Sequence, residues 1–341
     1  MKKIARNSFL MLIITFVLLF FMLRKDYKII VATIMDANKL YLLAAFVCYF
    51  ISFFIDCFSF YLIIKKYTHK YSYFKTVKLN LMTKFFNGIT PLSSGGQPLQ
   101  IYELYRNNVK LNDATSIVVQ FFIIYQIAIV IFSTAAVIIN NIFHIFVKNL
   151  FIKKLVVFGY IFNVVILLVL FLVSFSKNFN FRIINFFINF LSKLKIVKNK
   201  EKTSVKWRKK CDNFYDSAAV LKKNPTTLVF GTLLQILQLL VLYLVPFFIV
   251  KSIIDAPTLN YLKSVVTSTY VNLIGTYVVI PGAAGGIEYA FITLFSNFVK
   301  KPFVLSSTIL WRFVTYYFPV ILGGIMFNMK RKDIDLDELD K

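Results

Sequence analysis

The chain has 341 residues, of which 58% are hydrophobic, with a mean hydropathy of +0.71 and a formal net charge of +25. A soluble domain of this length cannot bury so much apolar surface, because a globular core is limited by surface-to-volume scaling; lipid is the expected solvent. Charged residues are only 16% of the chain, and the basic ones lie between apolar runs rather than on one folded face. That pattern fits the positive-inside rule and anionic headgroups, and it argues against nucleic-acid binding.

In chain order, six runs approach the roughly 20 apolar residues that a spanning helix needs: Phe9–Leu23, Leu40–Ile64, Ala114–Ile139, Leu155–Phe175, Thr226–Val250 and Phe303–Met329. The first follows Lys2, Lys3 and Arg6 and runs into Arg24 and Lys25 without a small-residue cleavage site, so it reads as an uncleaved span. Lysines 65, 66, 70, 75, 78 and 84, thirteen Lys/Arg between Lys177 and Lys223, and Lys330, Arg331 and Lys332 then fall on one side. Charge bias makes that side cytoplasmic, with both termini inside. Within the long basic stretch, Phe179–Leu194 alternates apolar with polar residues, the pattern of a helix lying on the inner leaflet or of an exposed helical hairpin.

Cys48 and Cys57 share one apolar run, Cys211 lies in the basic stretch, and His69 and His144 stand alone near span ends. No spacing suits a metal, and none is expected. No GxxxxGK[ST] loop is present, so there is no sign of ATP coupling, and no cofactor is expected. The tyrosines and tryptophans, Trp207 and Trp311 included, read as interfacial anchors.

The most informative feature is an internal echo. Pro91-Leu92-Ser93-Ser94-Gly95-Gly96 recurs as Pro281-Gly282-Ala283-Ala284-Gly285-Gly286, in the pattern P-x-[SA]-[SA]-G-G. Each copy ends an apolar run (Leu79–Thr90 and Leu262–Ile280) and precedes a short amphipathic segment and a full span. Proline and paired glycines stop a helix and free its backbone polar groups. In a membrane such groups are tolerated only where protein or a wet cavity receives them. With six crossings, the first copy enters from the cytoplasmic side and the second from outside, the layout of an inverted repeat. Two unrelated interhelical turns are the competing, weaker reading, since such turns often carry proline and glycine but seldom agree at five of six positions in equivalent context.

Polar residues cluster at both breaks. Ser93, Ser94, Gly95, Gly96, Gln97, Gln100, Gly285, Gly286, Glu288 and Arg312 are candidates for binding a lipid headgroup and phosphate, since a helix starting after Gly-Gly offers free N–H groups to an anion. Arg312 lies too deep in the last run to snorkel, so it needs a partner or a task. Glu288 is its expected counter-ion, in a pair that locks the bundle or serves transport. Asn87, Glu103, Gln120, Gln126, Asn272 and Asp56 are candidate cavity-lining residues. For Asp56, beside Ser52 and Ser59, and for the two glutamines, bonding between helices is the competing reading.

The stretch Asn87-Gly88-Ile89-Thr90-Pro91-Leu92-Ser93-Ser94-Gly95-Gly96-Gln97-Pro98, with Ala114-Thr115-Ser116 and Tyr125-Gln126, resembles the transmembrane half of lysylphosphatidylglycerol synthases. So do Ile280–Glu288 and Trp311-Arg312-Phe313, and the resemblance runs from about Ser8 to Met329. Many family members carry a basic residue after the first Gly-Gly; here Gln97-Pro98-Leu99-Gln100 stands instead, which leaves headgroup preference open. The resemblance implies a flippase for aminoacylated phosphatidylglycerol in the bacterial inner membrane, contributing to membrane charge and to resistance against cationic antimicrobial peptides.

The expected architecture is therefore an all-α polytopic membrane protein with about six full spans and two broken, re-entrant segments forming an inverted repeat. Residues 1–332 make one integral membrane unit, with 177–223 as its basic cytoplasmic amphipathic loop and 333–341 as a short acidic cytoplasmic tail. The expected partner is an anionic or aminoacylated phospholipid, with self-association left open and no nucleic acid bound by this chain. Two other functions stay open: phosphatidylglycerol lysyltransferase, by family name or beside a separate synthase partner, and a non-catalytic membrane scaffold. The residues after Met329 are too few to bind tRNA or transfer an acyl group, so these residues by themselves are not expected to be enzymatic. The lipid gradient and the membrane potential are the candidate driving forces.

Overall fold

The computed structural model describes residues 27–146, 150–175 and 224–331, with isolated positions between 188 and 220. The run Phe9–Leu23, the Phe179–Leu194 helix, Cys211, Trp207 and the acidic tail lie outside the described residues, the isolated positions aside. In order, the elements are α1 (Tyr27–Met35), α2 (Lys39–Tyr67), α3 (Tyr73–Ile89), a 3-10 turn (Pro91–Ser93), α4 (Gly96–Arg106), α5 (Leu111–Phe143) and α6 (Leu150–Phe175). After the basic stretch come α7 (Pro225–Ile253), α8 (Tyr261–Gly275), a second 3-10 turn (Pro281–Ala283), α9 (Gly286–Phe295), α10 (Lys301–Arg312), a π-helical turn (Phe313–Tyr317) and α11 (Phe318–Arg331). No strand occurs among the described residues.

Among the described residues, five helical stretches are long and apolar enough to cross a membrane: Lys39–Tyr67, Leu111–Phe143, Phe151–Leu172, Pro225–Ile253 and Lys301–Met329. Their ends follow local chemistry. The Asn38 side chain accepts from the Leu40 and Tyr41 amides at the start of α2, and Ser72 and Asn260 cap α3 and α8 in the same way. Proline opens α7 and sits in the first turn of α10, where a missing N–H costs nothing. The last span is interrupted by the π-helical turn, a local widening that often marks a functional position.

The two halves repeat as span, broken hairpin, span: α2, α3–α4, α5, and then α7, α8–α9, α10–α11. Contacts in one half have counterparts in the other. α2 packs on α3 as α7 does on α8, α4 on α5 as α9 on α10, and α3 on α11 as α8 on α5. Two close approaches use the same device, a glycine facing a backbone carbonyl. A Cβ on Gly323 would run into the Leu81 carbonyl, and one on Gly159 of α6 would run into that of Leu273. In lipid, where apolar surface alone does not drive helices together, such small-residue contacts let backbones pack closely.

On the axis between the halves, α2 and α7 run antiparallel. The Asn38 amide donates to the Ser252 carbonyl at 2.7 Å, Gln238 Nε2 to Ser52 Oγ at 2.8 Å, Gln235 Nε2 to Asp56 Oδ1 at 3.2 Å, and Lys66 Nζ to Thr227 Oγ1. Residue numbers rise along one helix as they fall along the other, so the repeat is inverted.

Candidate functional site

The two broken hairpins meet at their corners, where the turns Pro91–Ser93 and Pro281–Ala283 pack against each other. From each corner the short limb returns to its own membrane face: α4 has 11 residues and α9 has 10. At 1.5 Å per residue these limbs cover about 17 Å and about 15 Å, each about half of a roughly 30 Å hydrocarbon core. Two hairpins of this depth, entering from opposite faces, can touch only near the midplane.

The corners are alike in backbone as well as sequence. Leu92 and Ser93 (φ 52° each) match Gly282 (φ 65°) and Ala283 (φ 53°). Three non-glycine residues are thus held left-handed, a strain that clusters at functional sites.

The amides of Gly95, Gly96 and Gly285 are each held within their own corner. Asn87 Oδ1 accepts from the Gly96 amide at 2.8 Å, Thr90 Oγ1 from the Gly95 amide at 2.9 Å, and Glu288 Oε2 from the Gly285 amide at 2.7 Å. Ser93, Ser94 and Gln97 are exposed, whereas Gln100 and Glu103 are buried along α4. Glu103 sits toward the base of that hairpin; burial, then its charge, push the phenol of Tyr71, in the α2–α3 connection, above its usual range. Asn272 lies half-buried on α8.

Behind the second corner stands a buried ion pair. Arg312 Nε donates to Glu288 Oε1 at 2.6 Å, and Arg312 Nη2 donates to the Gly282 carbonyl at 2.7 Å. Both side chains are about 5% exposed or less. The guanidinium lies over the Tyr316 ring, 4.5 Å from its centroid, a favourable cation–π placement. The Tyr316 hydroxyl in turn donates to the Gly88 carbonyl at 3.0 Å. Glu288, Arg312 and Tyr316 therefore join both hairpins to the π-helical turn of the last span.

Two readings of the sequence change here. Trp311, read as an interfacial anchor, is half-buried and stacks on Phe291 at 4.6 Å, next to Arg312 within the last span. Lys84, counted above among the cytoplasmic lysines, is on α3 with its Nζ 3.6 Å from Asp56 Oδ2, at mid-height of α2. Tyr316 was missed because tyrosine defaults to the interface; its position four residues after a deep arginine is the signal that could have found it.

The other candidates lie apart from the corners. Gln126 Nε2 donates to the Asn163 carbonyl and Oδ1, both at 3.1 Å, joining α5 to α6. Gln120 Nε2 donates to the Tyr67 hydroxyl at 2.5 Å. Asp56 belongs to a separate polar cluster with Lys84 and Gln235.

Antiparallel halves, each with a broken hairpin reaching mid-membrane, define a polytopic α-helical membrane protein of the inverted-repeat kind. The model of the lysylphosphatidylglycerol synthase transmembrane region matches residues 8–323, and the chain belongs to that family. No individual curated protein matches it.

Proposed function

We propose that this protein is a lipid translocase for phosphatidylglycerol-derived, aminoacylated phospholipid in the bacterial inner membrane, with both termini cytoplasmic. The observation that carries the reading is the corner-to-corner meeting of the two hairpins beside the Glu288–Arg312 pair. A headgroup crossing the bilayer needs polar partners at the midplane, where each unmet polar group costs several kcal/mol. Ser93, Ser94 and Gln97 offer such partners at the exposed first corner, and Arg312, paired with Glu288, stands behind the second. Acyl chains stay in lipid while rocking of one half against the other parts the corners and passes the headgroup from face to face. Parting also breaks the bond from Tyr316 to Gly88, the hydrogen bond that ties the last span to the first hairpin.

The driving force follows from charge. A lysyl ester of phosphatidylglycerol carries two amines and one phosphate, net one positive charge. An inside-negative potential opposes its outward passage by about 2.3 kcal/mol per 100 mV, which removes the membrane potential from the two candidate driving forces, so export requires a lipid gradient or a compensating charge movement. The test is a leaflet-resolved assay in liposomes with phosphatidylglycerol and its aminoacylated form. Protein-dependent exchange supports the reading; vesicles with and without protein behaving alike for every headgroup would overturn it. A transferase acting with a separate synthase partner predicts instead lysyl-lipid made from lysyl-tRNA when the two are combined. A scaffold predicts that Glu288→Gln and Arg312→Ala leave lipid asymmetry unchanged.

A further inference from the structure

The seam between α2 and α7 is a polar ladder inside an apolar bundle. Its bonded rungs are Ser52–Gln238 and Asp56–Gln235. The same antiparallel register carries Ser59 of α2 toward Thr232 of α7, one turn beyond the Asp56 rung. Asp56 can only accept a hydrogen bond, so it fixes the Gln235 amide with nitrogen toward the carboxylate and oxygen away from it. Gln235 Oε1, Ser59 Oγ and Thr232 Oγ1 are each buried without a hydrogen-bond partner, in residues that are 0%, 1% and 7% exposed. Buried unpaired oxygens are uncommon, and each costs on the order of 1–3 kcal/mol. With Gln238 Oε1 also unpaired beside Ser52, four such oxygens lie along this one seam, and the three on or one turn beyond the Asp56 rung point to a ligand.

We propose that Asp56, Ser59, Thr232 and Gln235 bind one monovalent alkali cation, in competition with the Lys84 ammonium, the Gln235 amide turning its oxygen to the ion as its bond to Asp56 is given up. The donors are all hard oxygens, which suit an alkali or alkaline-earth ion. Among the described residues no three His, Cys, Asp or Glu side chains come together, and a single carboxylate matches a single positive charge. In this structure Lys84 neutralises Asp56, but its side chain is 37% exposed against 13% for Asp56, so the lysine can leave. A bound cation repels it and swings it outward on α3, two turns before the Pro91 corner. Cation entry is thereby coupled to the hairpin. Resting on the translocase reading, this site supplies the compensating charge: one cation moving inward for each net-positive lipid moving outward makes the exchange electroneutral.

The binding test needs no transport. Purified full-length protein is heated in NaCl, KCl and choline chloride at equal ionic strength, and 22Na+ binding is measured at equilibrium with K+ as competitor. The expected result is saturable stabilisation by Na+ or K+ and none by choline. Ser59→Ala and Thr232→Val weaken binding about tenfold, the scale of losing a supporting ligand contact, whereas Lys84→Gln tightens it by removing the competitor. Equal behaviour in all three salts, a response to pH alone, or an affinity indifferent to Lys84→Gln would each overturn the site and leave only trapped water or a proton there. Cation binding without lipid exchange sinks the translocase and keeps the site; lipid exchange without cation binding does the reverse.

Discussion

The Tyr316 hydroxyl donates to the carbonyl of Gly88 at 3.0 Å, tying the π-helical turn of the last span to the end of the first hairpin. The same tyrosine lies beneath the Arg312 guanidinium, whose second partner is the Gly282 carbonyl at the opposite corner. One side chain therefore reports on both hairpins. Tyr316→Phe removes the neutral hydrogen bond to the Gly88 carbonyl and is expected to lower stability by about 1 kcal/mol. Because that bond must break for the corners to part, the variant should exchange lipid at least as fast as wild type. Thermal unfolding and the liposome assay, run on the same preparation, check both halves of this statement.

Arg312→Ala leaves the Glu288 carboxylate buried and unpaired, at a cost of about 3–5 kcal/mol. Replacing both partners with uncharged groups, Glu288→Gln with Arg312→Met, should recover most of that stability, since a buried pair adds little over well-packed neutral residues. Lipid exchange should stay lost in the double variant. Recovery of exchange along with stability would show that the pair only holds the bundle together.

Gly282→Ala is expected to be among the most damaging single-methyl changes in the chain. The residue has φ 65°, and a Cβ there would collide with the Tyr316 ring and hydroxyl. Gly286→Ala meets only the end of the Val278 side chain, which can shift, so its effect should be smaller. Melting temperatures of the two variants, compared directly, test the ranking.

Asn87→Ala removes the acceptor for the Gly96 amide at the start of α4. An unmet amide in that position should cost about 1–2 kcal/mol. Asn87→Asp keeps the acceptor and should restore the local bond, although it adds charge at the corner and should weaken binding of an anionic headgroup.

How much of this was legible beforehand follows from the physics of each feature. The spans could be read because about twenty apolar residues in a row have one use in a membrane. The corners could be read because proline and paired glycine leave backbone groups that lipid cannot satisfy. The Glu288–Arg312 pair could be read because two deep charges are costly unless joined. The inverted repeat implied that the two broken segments meet near the midplane; what sequence does not contain is distance, so the direct packing of corner on corner and the antiparallel seam of α2 with α7 emerged only from the structure. Lys84 was hidden among interfacial lysines that share its composition but not its depth. Trp311 and Tyr316 were hidden by the usual preference of their residue types for the membrane interface.

The central claim is that the two corners separate to pass a headgroup. A disulfide between Ser93→Cys and Ala283→Cys, with Cys48, Cys57 and Cys211 replaced, measures it directly in reconstituted liposomes. Oxidation should stop protein-dependent lipid exchange, and reduction should restore it. Exchange at an unchanged rate through a fully cross-linked protein would contradict the account.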